Sequence, residues 1–312
     1  MGTPDSSDLV HDAFVYSSEE EFLAGALPFV DEGIERGEPV LAAPTHANAR
    51  LLRERLGERA SVVDWAPNSE SHRTVERLGI FLHFIERHLD DGATRIRLLG
   101  EPCWPTNGGP GVTEWKRYES FLNIALAAHP VWLVCPYDSG SLAPHIVEDS
   151  CRTHPNMGHG DGRAPSPEYV EPSDFSRRLD RTPLPRPPEL AAEGYFKSAS
   201  EARRFVADQA RIAGLSKERV KDAELAASEV SANVFTHAAE VARVRAWTES
   251  DAFVFDIDDT GRGITDPFPG YAIPHPTAQN GRGLLLARRL ADVVQARTTP
   301  TGAIVRLHFL LT

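Results

Sequence analysis

Glu229-Val-Ser-Ala-Asn233-Val-Phe-Thr-His237 is the stretch of this 312-residue chain that decides the fold of its C-terminal third. A spacing of four residues places Glu229, Asn233 and His237 along one edge of a helix, because each step advances only about 40° around the axis. Ser216 is a suitable N-cap for that helix. An apolar stripe runs beside the polar edge: Val220, Ala223, Ala227, Val230 and Val234. We therefore expect the polar side chains at the rim of a pocket; the alternative is a solvated helix edge, where charged residues usually lie.

A β-hairpin is predicted directly after this helix. Two segments rich in β-branched and aromatic residues, 241–248 and 252–258, alternate in polarity on either side of the turn at 249–251. Phe253, Phe255 and Ile257 should then face the same side of the sheet.

Asp259 closes the second predicted strand, and Gly261 and Gly263 follow it. The two glycines allow a sharp turn and a close approach of the backbone to a ligand. An aspartate held at a strand end can accept a hydrogen bond from the exocyclic amino group of adenine. Asp-x-Gly-x-Gly also describes an ordinary Asp-Gly turn, so this motif alone does not decide between the two.

Two further glycine turns lie nearer the C-terminus. Gly281-Arg282-Gly283 precedes an amphipathic helix, whose free amides and positive dipole end suit a phosphate group. Gly302 introduces the last predicted strand, 303–310, and could also bring the backbone near phosphates.

Taken together and in this order, these motifs resemble the N, G1 and G2 boxes of the GHKL ATPase superfamily. The resemblance covers about residues 193–312, and the compact form is most similar to the RsbW-like anti-sigma-factor serine/threonine kinases. It implies a Bergerat-type α/β sandwich with ATP and Mg²⁺ as cofactors. No Walker A sequence, Gly-x-x-x-x-Gly-Lys-[Ser/Thr], occurs in the chain.

The resemblance also implies a role for each matching residue. Glu229 would be the general base, Asn233 would hold Mg²⁺ against the phosphates, and Asp259 would bind adenine. The remaining site residues would shape the adenine pocket or close over the polyphosphate: Gly261, Gly263, Gly281, Arg282, Gly283 and Gly302. Phosphoryl transfer needs a metal, in-line positioning and a carboxylate at the attacking hydroxyl, which agrees with Glu229 and Asn233 on one helix edge. His237 belongs to the pattern without an assigned chemistry.

By resemblance, the output is phosphorylation of a serine or threonine on a STAS-type anti-sigma-factor antagonist. Sequestration of a sigma factor and homodimerisation are further properties of that family. Two alternatives stay open. ATP binding could only order a lid over residues 268–279 and expose a partner-binding face, or Glu229 could activate water in a GHKL ATPase.

Residues 157–192 are predicted to form a proline-rich linker between two domains, 1–156 and 193–312. A proline inside a helix costs about 3 kcal/mol, so this region cannot form the long helical hairpin that carries the phosphoacceptor histidine of a sensor histidine kinase. Its composition is typical of a solvated, flexible segment. The prolines of residues 153–190 are Pro155, Pro165, Pro167, Pro172, Pro183, Pro185, Pro187 and Pro188.

The N-terminal half alternates between short apolar runs and helical patterns. Such spacing implies βαβ units and a doubly wound, mostly parallel sheet, which binds ligands at the carboxyl ends of its strands. Ser18 is a suitable N-cap for the first helix. The predicted strands are 13–16, 40–43, 61–65, 96–99 and 131–135, and the predicted helices are 19–36, 47–56, 73–89 and 114–128.

Three motifs in this half resemble the MEDS sensory domain of bacterial regulators: 114–123 (Glu-Trp-x2-Tyr-Glu-x3-Asn), 135–138 (Cys-Pro-Tyr-Asp) and 154–155 (His-Pro). The resemblance spans about residues 9–156 and implies a RecA-like sheet, although the missing Walker A lysine argues against nucleotide hydrolysis there. We expect a pocket for an unknown ligand, and core packing is the alternative for its aromatic residues. The candidate pocket residues are Glu101, Trp104, Tyr118, Glu119, Tyr137 and Asp138.

The three cysteines, Cys103, Cys135 and Cys151, lack a Cys-x-x-Cys spacing. Free buried cysteine in a reducing compartment is the simplest interpretation, and a metal or redox sensor is the alternative.

Charge and hydropathy limit the remaining function classes. A formal net charge of −12 disfavours non-specific binding to nucleic acid, which depends on lysine and arginine. No apolar run long enough for a membrane span and no secretory leader pattern occur in the sequence. We therefore expect a soluble, cytoplasmic protein without a membrane partner.

Overall fold

The computed structural model describes residues 9–66, 73–105, 109–237, 241–249, 251–261, 263–272 and 282–311, without the side chains of Asp161 and His237. The chain divides into two compact units, Met1–Phe175 and Ser176–Thr312. Within the described ranges, every helix is too short or too polar to cross a membrane.

A seven-stranded sheet forms the centre of the first unit. Its strands are β1 (Val10–Tyr16), β2 (Val40–Ala43), β3 (Asp64–Trp65), β4 (Ile96–Gly100), β5 (Val131–Asp138), β6 (Asn156–Met157) and β7 (Ala164–Pro165). They lie in the order β3-β2-β4-β5-β1-β6-β7. All neighbours are parallel except β6 and β7. The mostly parallel sheet predicted for the N-terminal half is confirmed.

Helices cover both faces of this sheet, because its side chains alternate between them. Phe14 and Tyr16 pack with α1 and α2 on one face. On the other, the Phe81 ring of α3 lies beside Gly100 and Leu133. The helices of the unit are α1 (Glu19–Arg36), α2 (His46–Leu56), α3 (Thr74–Asp90), α4 (Pro110–Ala125) and α5 (Pro144–Thr153).

Ser18 caps α1 as predicted, since its Oγ accepts a hydrogen bond from the Glu21 amide at 3.2 Å. The predicted strand 61–65 is wrong in its first half, where a 3₁₀ turn spans Gly57–Val62. Ser61 Oγ donates to Glu58 O at 2.7 Å and closes that turn. The hydroxyl group thus stabilises the turn that replaces the start of the predicted strand.

The proline-rich segment is more ordered than the predicted flexible linker. β6 and β7 pair at the edge of the first sheet, and α6 (Pro172–Leu179) follows with Phe175 and Ser176 buried. The prolines occupy positions that tolerate them, since Pro165 ends an edge strand and Pro172 opens a helix. The number of prolines excludes a long helix here, but it does not prevent short elements.

A five-stranded antiparallel sheet forms the second unit. Its strands are β8 (Ala192–Phe196), β9 (Ala242–Glu249), β10 (Ala252–Asp259), β11 (Val293–Thr299) and β12 (Gly302–Leu310), in the order β11-β12-β10-β9-β8. Its helices are α7 (Ala199–Ile212), α8 (Lys217–His237) and α9 (Arg282–Leu290). This is the α/β sandwich of the GHKL type that the resemblance implied.

The inner face of this sheet carries the core of the second unit. Phe253, Phe255 and Ile257 lie there, as the alternation predicted, and pack with the apolar stripe of α8. Ser216 Oγ accepts from the Arg219 amide at 3.3 Å, which confirms the predicted cap. The packing of this stripe turns the adjacent polar edge of α8 toward α9.

The outer face of the same sheet holds buried charges. Asp256 is fully buried and accepts hydrogen bonds from Arg245 Nε at 2.8 Å and from Arg306 Nη2 at 2.9 Å. Residues 180–191 run along this face: Arg306 Nη1 donates to Pro185 O at 2.9 Å, and Arg297 pairs with Asp180 at 2.9 Å. The second half of the proline-rich segment therefore packs along this face.

Replacing Asp256 tests this buried network. Asp256→Ala leaves the buried Arg306 and the half-buried Arg245 without this carboxylate, which should lower the free energy of unfolding of this unit by about 3–5 kcal/mol. Hydrogen exchange of the β10 and β12 amides measures the change without interference from the first unit. Asp208→Ala is the matched control, because Asp208 pairs with Arg211 in the open at the surface and should cost under about 1 kcal/mol. Equal amide protection in both variants would contradict the predicted contribution of Asp256.

Candidate functional site

Glu229 and Asn233 lie on the edge of α8 that faces the start of α9. A Cβ atom built on Gly283 would lie 3.1 Å from Asn233 Nδ2 and 3.2 Å from Glu229 Oε2. The two polar side chains therefore converge on one point beneath the first turn of α9. Glycine at 283 leaves this point open, whereas a larger residue would fill it.

Asp259 ends β10 and pairs with Ala303 of β12. Its Oδ1 accepts a hydrogen bond from the Gly261 amide at 2.6 Å, which fixes the carboxylate. Its other oxygen has no hydrogen-bond donor among the described residues and can serve a ligand. A Cβ atom on Gly302 would lie 2.0 Å from the Asp259 carbonyl oxygen, so only glycine permits this approach of the strands.

The loop after β10 is tied to β11 by Thr298. Its Oγ1 accepts from the Ile264 amide at 2.9 Å and donates to the Ile264 carbonyl at 2.9 Å. Gly263 has a φ of 76°, and a Cβ atom there would lie 2.7 Å from Thr298 Cγ2. The sequence analysis missed Thr298, because a threonine in a strand carries no signal of such a contact.

A cavity of about 410 Å³ lies between this loop, α8 and α9. It contains Asn233, but the described residues that line it do not include Glu229 or Asp259. Its lining consists of Asn233, Ile264, Thr265, Asp266, Pro269, Gly270, Ala272 and Leu284. Of the other predicted site residues, Arg282 is exposed at the start of α9, and Gly281 lies outside the described residues.

Arg288 anchors the segment that leads away from this cavity. Its Nε donates to Pro269 O at 2.8 Å, its Nη1 donates to Val294 O at 2.9 Å, and its guanidinium lies 4.0 Å from the Tyr271 ring centroid. Sequence analysis did not single out Arg288. Its position on the apolar side of an amphipathic helix is the signal that could have identified a buried arginine.

The first unit carries a larger cleft, of about 1200 Å³, at the carboxyl ends of β1, β2, β4 and β5. This is the position at which open parallel sheets bind ligands. The polar and aromatic residues around it include Tyr16, Asn48, Glu101, Trp104, Lys116 and Asp138. Three predicted pocket residues, Glu101, Trp104 and Asp138, therefore lie at one cleft.

Glu101 is held by four hydrogen bonds from three donor groups in the floor of this cleft. Its Oε1 accepts from the Tyr16 hydroxyl at 2.6 Å, and its Oε2 accepts from the Thr45 amide at 2.6 Å. Asn48 Nδ2 donates to both oxygens, at 2.9 and 3.0 Å. Burial and the Glu101 carboxylate raise the pKa of Tyr16 above its ordinary value, which keeps its hydroxyl a donor. Tyr16 and Asn48 were not predicted, since their partner is distant in sequence.

Asp138 and Lys116 are also positioned by neighbours. Asp138 accepts from the Gly140 amide at 2.9 Å and from Ser141 Oγ at 2.8 Å. Lys116 pairs with Asp149 and donates to His145 O at 3.2 Å. The cleft thus presents charges of both signs beside the apolar face of Trp104.

The other three predicted pocket residues, Tyr118, Glu119 and Tyr137, do not line the cleft. All three are at most 2 % exposed and lie behind it, between α4 and the sheet. On β5, Tyr137 faces α4 because its neighbours Pro136 and Asp138 face the cleft. Burial raises the pKa of Glu119 to about 7, and the Tyr137 hydroxyl lies 3.4 Å from its Oε2.

Two family models match this chain. Residues 10–155 match MEDS, the methanogen/methylotroph DcmR sensory domain, and residues 196–309 match the histidine kinase-like ATPase domain. No curated protein matches the chain significantly. The chain therefore combines a region similar to the MEDS sensory domain with a region similar to the histidine kinase-like ATPase domain, and this architecture supports an ATP-binding regulator with an N-terminal sensory domain.

Proposed function

We propose that this chain is an ATP-dependent serine/threonine kinase of the anti-sigma-factor type, controlled by its MEDS region. The observation that carries the proposal is the convergence of Glu229 and Asn233 beneath Gly283 at the start of α9. A carboxylate and an amide at one point fit a phosphoryl-transfer site, because the amide oxygen suits Mg²⁺ and the carboxylate suits an attacking hydroxyl.

The residues around this point fit ATP and Mg²⁺. The open space at Gly283 and the second carboxylate oxygen of Asp259 support the roles that the GHKL resemblance implies, in which Gly283 closes over the polyphosphate and Asp259 binds adenine. Asn233 would hold the metal, and Arg282, with the amides at the start of α9, would face the phosphates. Mg²⁺ supplies charge neutralisation during transfer.

In the proposed reaction, Glu229 accepts the proton of a protein hydroxyl as the γ-phosphoryl group moves from ATP to the hydroxyl oxygen and ADP leaves. Asp259 binds the adenine and so holds the nucleotide in position. The proposed acceptor is a STAS-type anti-sigma-factor antagonist, and a sigma factor is a second proposed partner. We also propose cytoplasmic location and a homodimer, as in RsbW-like kinases. Ligand binding at the cleft around Glu101 would control the output.

Glu229→Gln tests the base. The variant keeps the shape of the side chain but cannot accept the proton, so we expect nucleotide binding to persist and transfer to fall about 10²–10⁴-fold. The assay follows label from the γ-phosphate of ATP to the antagonist encoded by the same host, with Mg²⁺. Glu224→Gln is the matched control on the same helix, because Glu224 pairs with Arg203 instead.

The same assay distinguishes the alternatives. Label on a serine or threonine of the antagonist supports the kinase, and unchanged transfer by Glu229→Gln would exclude Glu229 as the base. Phosphate release without a labelled protein would replace the kinase with an ATPase. Nucleotide binding with neither result would leave an ATP-gated binding switch.

Asp259→Asn tests adenine recognition. Loss of the charged acceptor should weaken binding of a non-hydrolysable ATP analogue about 10- to 100-fold, since a hydrogen bond to a charged group contributes about 1.5–3 kcal/mol. Calorimetric titration measures the affinity. Asp258→Asn is the control, because the neighbouring carboxylate pairs with Arg243 on the outer face. Equal affinity of the Asp259 variant and the unaltered chain would remove Asp259 from the site.

A further inference from the structure

Four ligand-type side chains meet in the interior of the first unit, away from both sites described above. They are His11 on β1, Glu119 on α4, Cys135 on β5 and His154 directly after α5. All four are buried, and their ligand atoms lie within 4.8 Å of one another. Elements that are distant in sequence therefore bring two imidazoles, a thiol and a carboxylate to one point.

The hydrogen bonds of the two histidines fix which nitrogen faces that point. His154 Nδ1 lies 2.9 Å from Ser150 O, and because a carbonyl only accepts, Nδ1 carries the proton. Asn123 donates its amide hydrogens to Ser120 O and Thr153 O, so its Oδ1 accepts from His11 Nδ1 at 3.0 Å. Each Nε2 then carries a lone pair toward the cluster.

The two lone pairs differ in their surroundings. His154 Nε2 is buried with no hydrogen-bond partner in the described part of the chain, and it lies 3.6 Å from Glu119 Oε2. His11 Nε2 lies 3.5 Å from Cys135 Sγ, and the thiol can donate a hydrogen bond to it at that distance. Two imidazole nitrogens, a thiol and a carboxylate therefore face one another at one buried point.

Two separations within the cluster match tetrahedral coordination. Bonds of about 2.0–2.3 Å place two ligands of a tetrahedral ion about 3.3–3.8 Å apart. The separations of 3.5 and 3.6 Å fall in this range. Both histidines also donate the N–H of the other ring nitrogen, Nδ1, to an oxygen, as metal-bound histidines usually do.

We propose that His11, Glu119, Cys135 and His154 form a binding site for one divalent transition-metal ion of the zinc class. The combination of two imidazoles, one thiolate and one carboxylate suits Zn²⁺ in a closed, four-coordinate site. Binding displaces the proton of the Cys135 thiol, and the ion joins β1, α4, β5 and the end of α5. Tyr137, whose hydroxyl faces Glu119 and whose ring lies 6.0 Å from the Trp104 ring, connects this site to the cleft.

Cobalt titration of the full chain, with any affinity tag removed and metal stripped by a chelator, tests the site. We expect one equivalent of Co²⁺ to produce the intense visible bands of tetrahedral cobalt and a thiolate-to-cobalt charge-transfer band. Zn²⁺ should displace it and abolish both signals. Saturation without a thiolate band, or no binding of either ion, would overturn the proposal.

Variants locate the ion. Cys135→Ser should lose the thiolate band, while Cys103→Ser and Cys151→Ser should retain it, since those cysteines lie outside the cluster. His154→Gln should weaken Zn²⁺ binding more than tenfold in competition with a chromophoric chelator. Asn123→Ala removes the acceptor of the His11 N–H, together with the hydrogen bonds to Ser120 O and Thr153 O, but leaves all four ligands in place. It should weaken Zn²⁺ binding about 10- to 100-fold, and it keeps the test valid if the ligand variants misfold. A thiolate band that survives in Cys135→Ser would place the metal elsewhere.

Discussion

Close backbone approach at two glycines is the constraint on which the second unit depends. At Gly302 the first residue of β12 lies so near the end of β10 that a Cβ atom would stand 2.0 Å from the Asp259 carbonyl oxygen. At Gly283 the first turn of α9 closes over Glu229 and Asn233. The first contact fixes where Asp259 ends its strand, and the second leaves space in front of α8. The candidate nucleotide site is built by these approaches as much as by its polar residues.

Buried charge organises both units. Asp256 holds two arginines on the outer face of the antiparallel sheet, along which residues 180–191 run. In the floor of the cleft of the first unit, Glu101 accepts hydrogen bonds from the Tyr16 hydroxyl, the Thr45 backbone amide and the Asn48 side-chain amide. A buried carboxylate is costly without such partners, so each network fixes the elements that supply its donors.

The MEDS motifs divide between two places because a strand presents alternate faces. Pro136 and Asp138 face the cleft, whereas Cys135 and Tyr137 face α4. Sequence analysis grouped Tyr137 and Glu119 with the cleft, since motif spacing gives no information about which face a residue takes. Their location instead joins them to the two histidines of the proposed metal site.

The hydrophobic periodicity and the glycine positions of the sequence by themselves determined much of the fold of each unit. The apolar stripe of α8, the Phe253-Phe255-Ile257 alternation and the βαβ spacing each arise from local geometry, so they could be interpreted without a structure. The sequence pattern was misleading at Ser61, where a side-chain hydrogen bond closes a 3₁₀ turn in place of the start of the predicted strand.

Tertiary structure alone decided which distant side chains meet. Arg288 reaches Pro269, Tyr16 reaches Glu101, and His11 reaches Cys135 only because packed elements bring together residues that are remote in sequence. It also decided that the proline-rich segment lies on a sheet face, where arginine side chains bind its carbonyl and carboxylate groups. The physical reason is that sequence patterns specify the face of each element, whereas the partners of that face are set by how the elements pack.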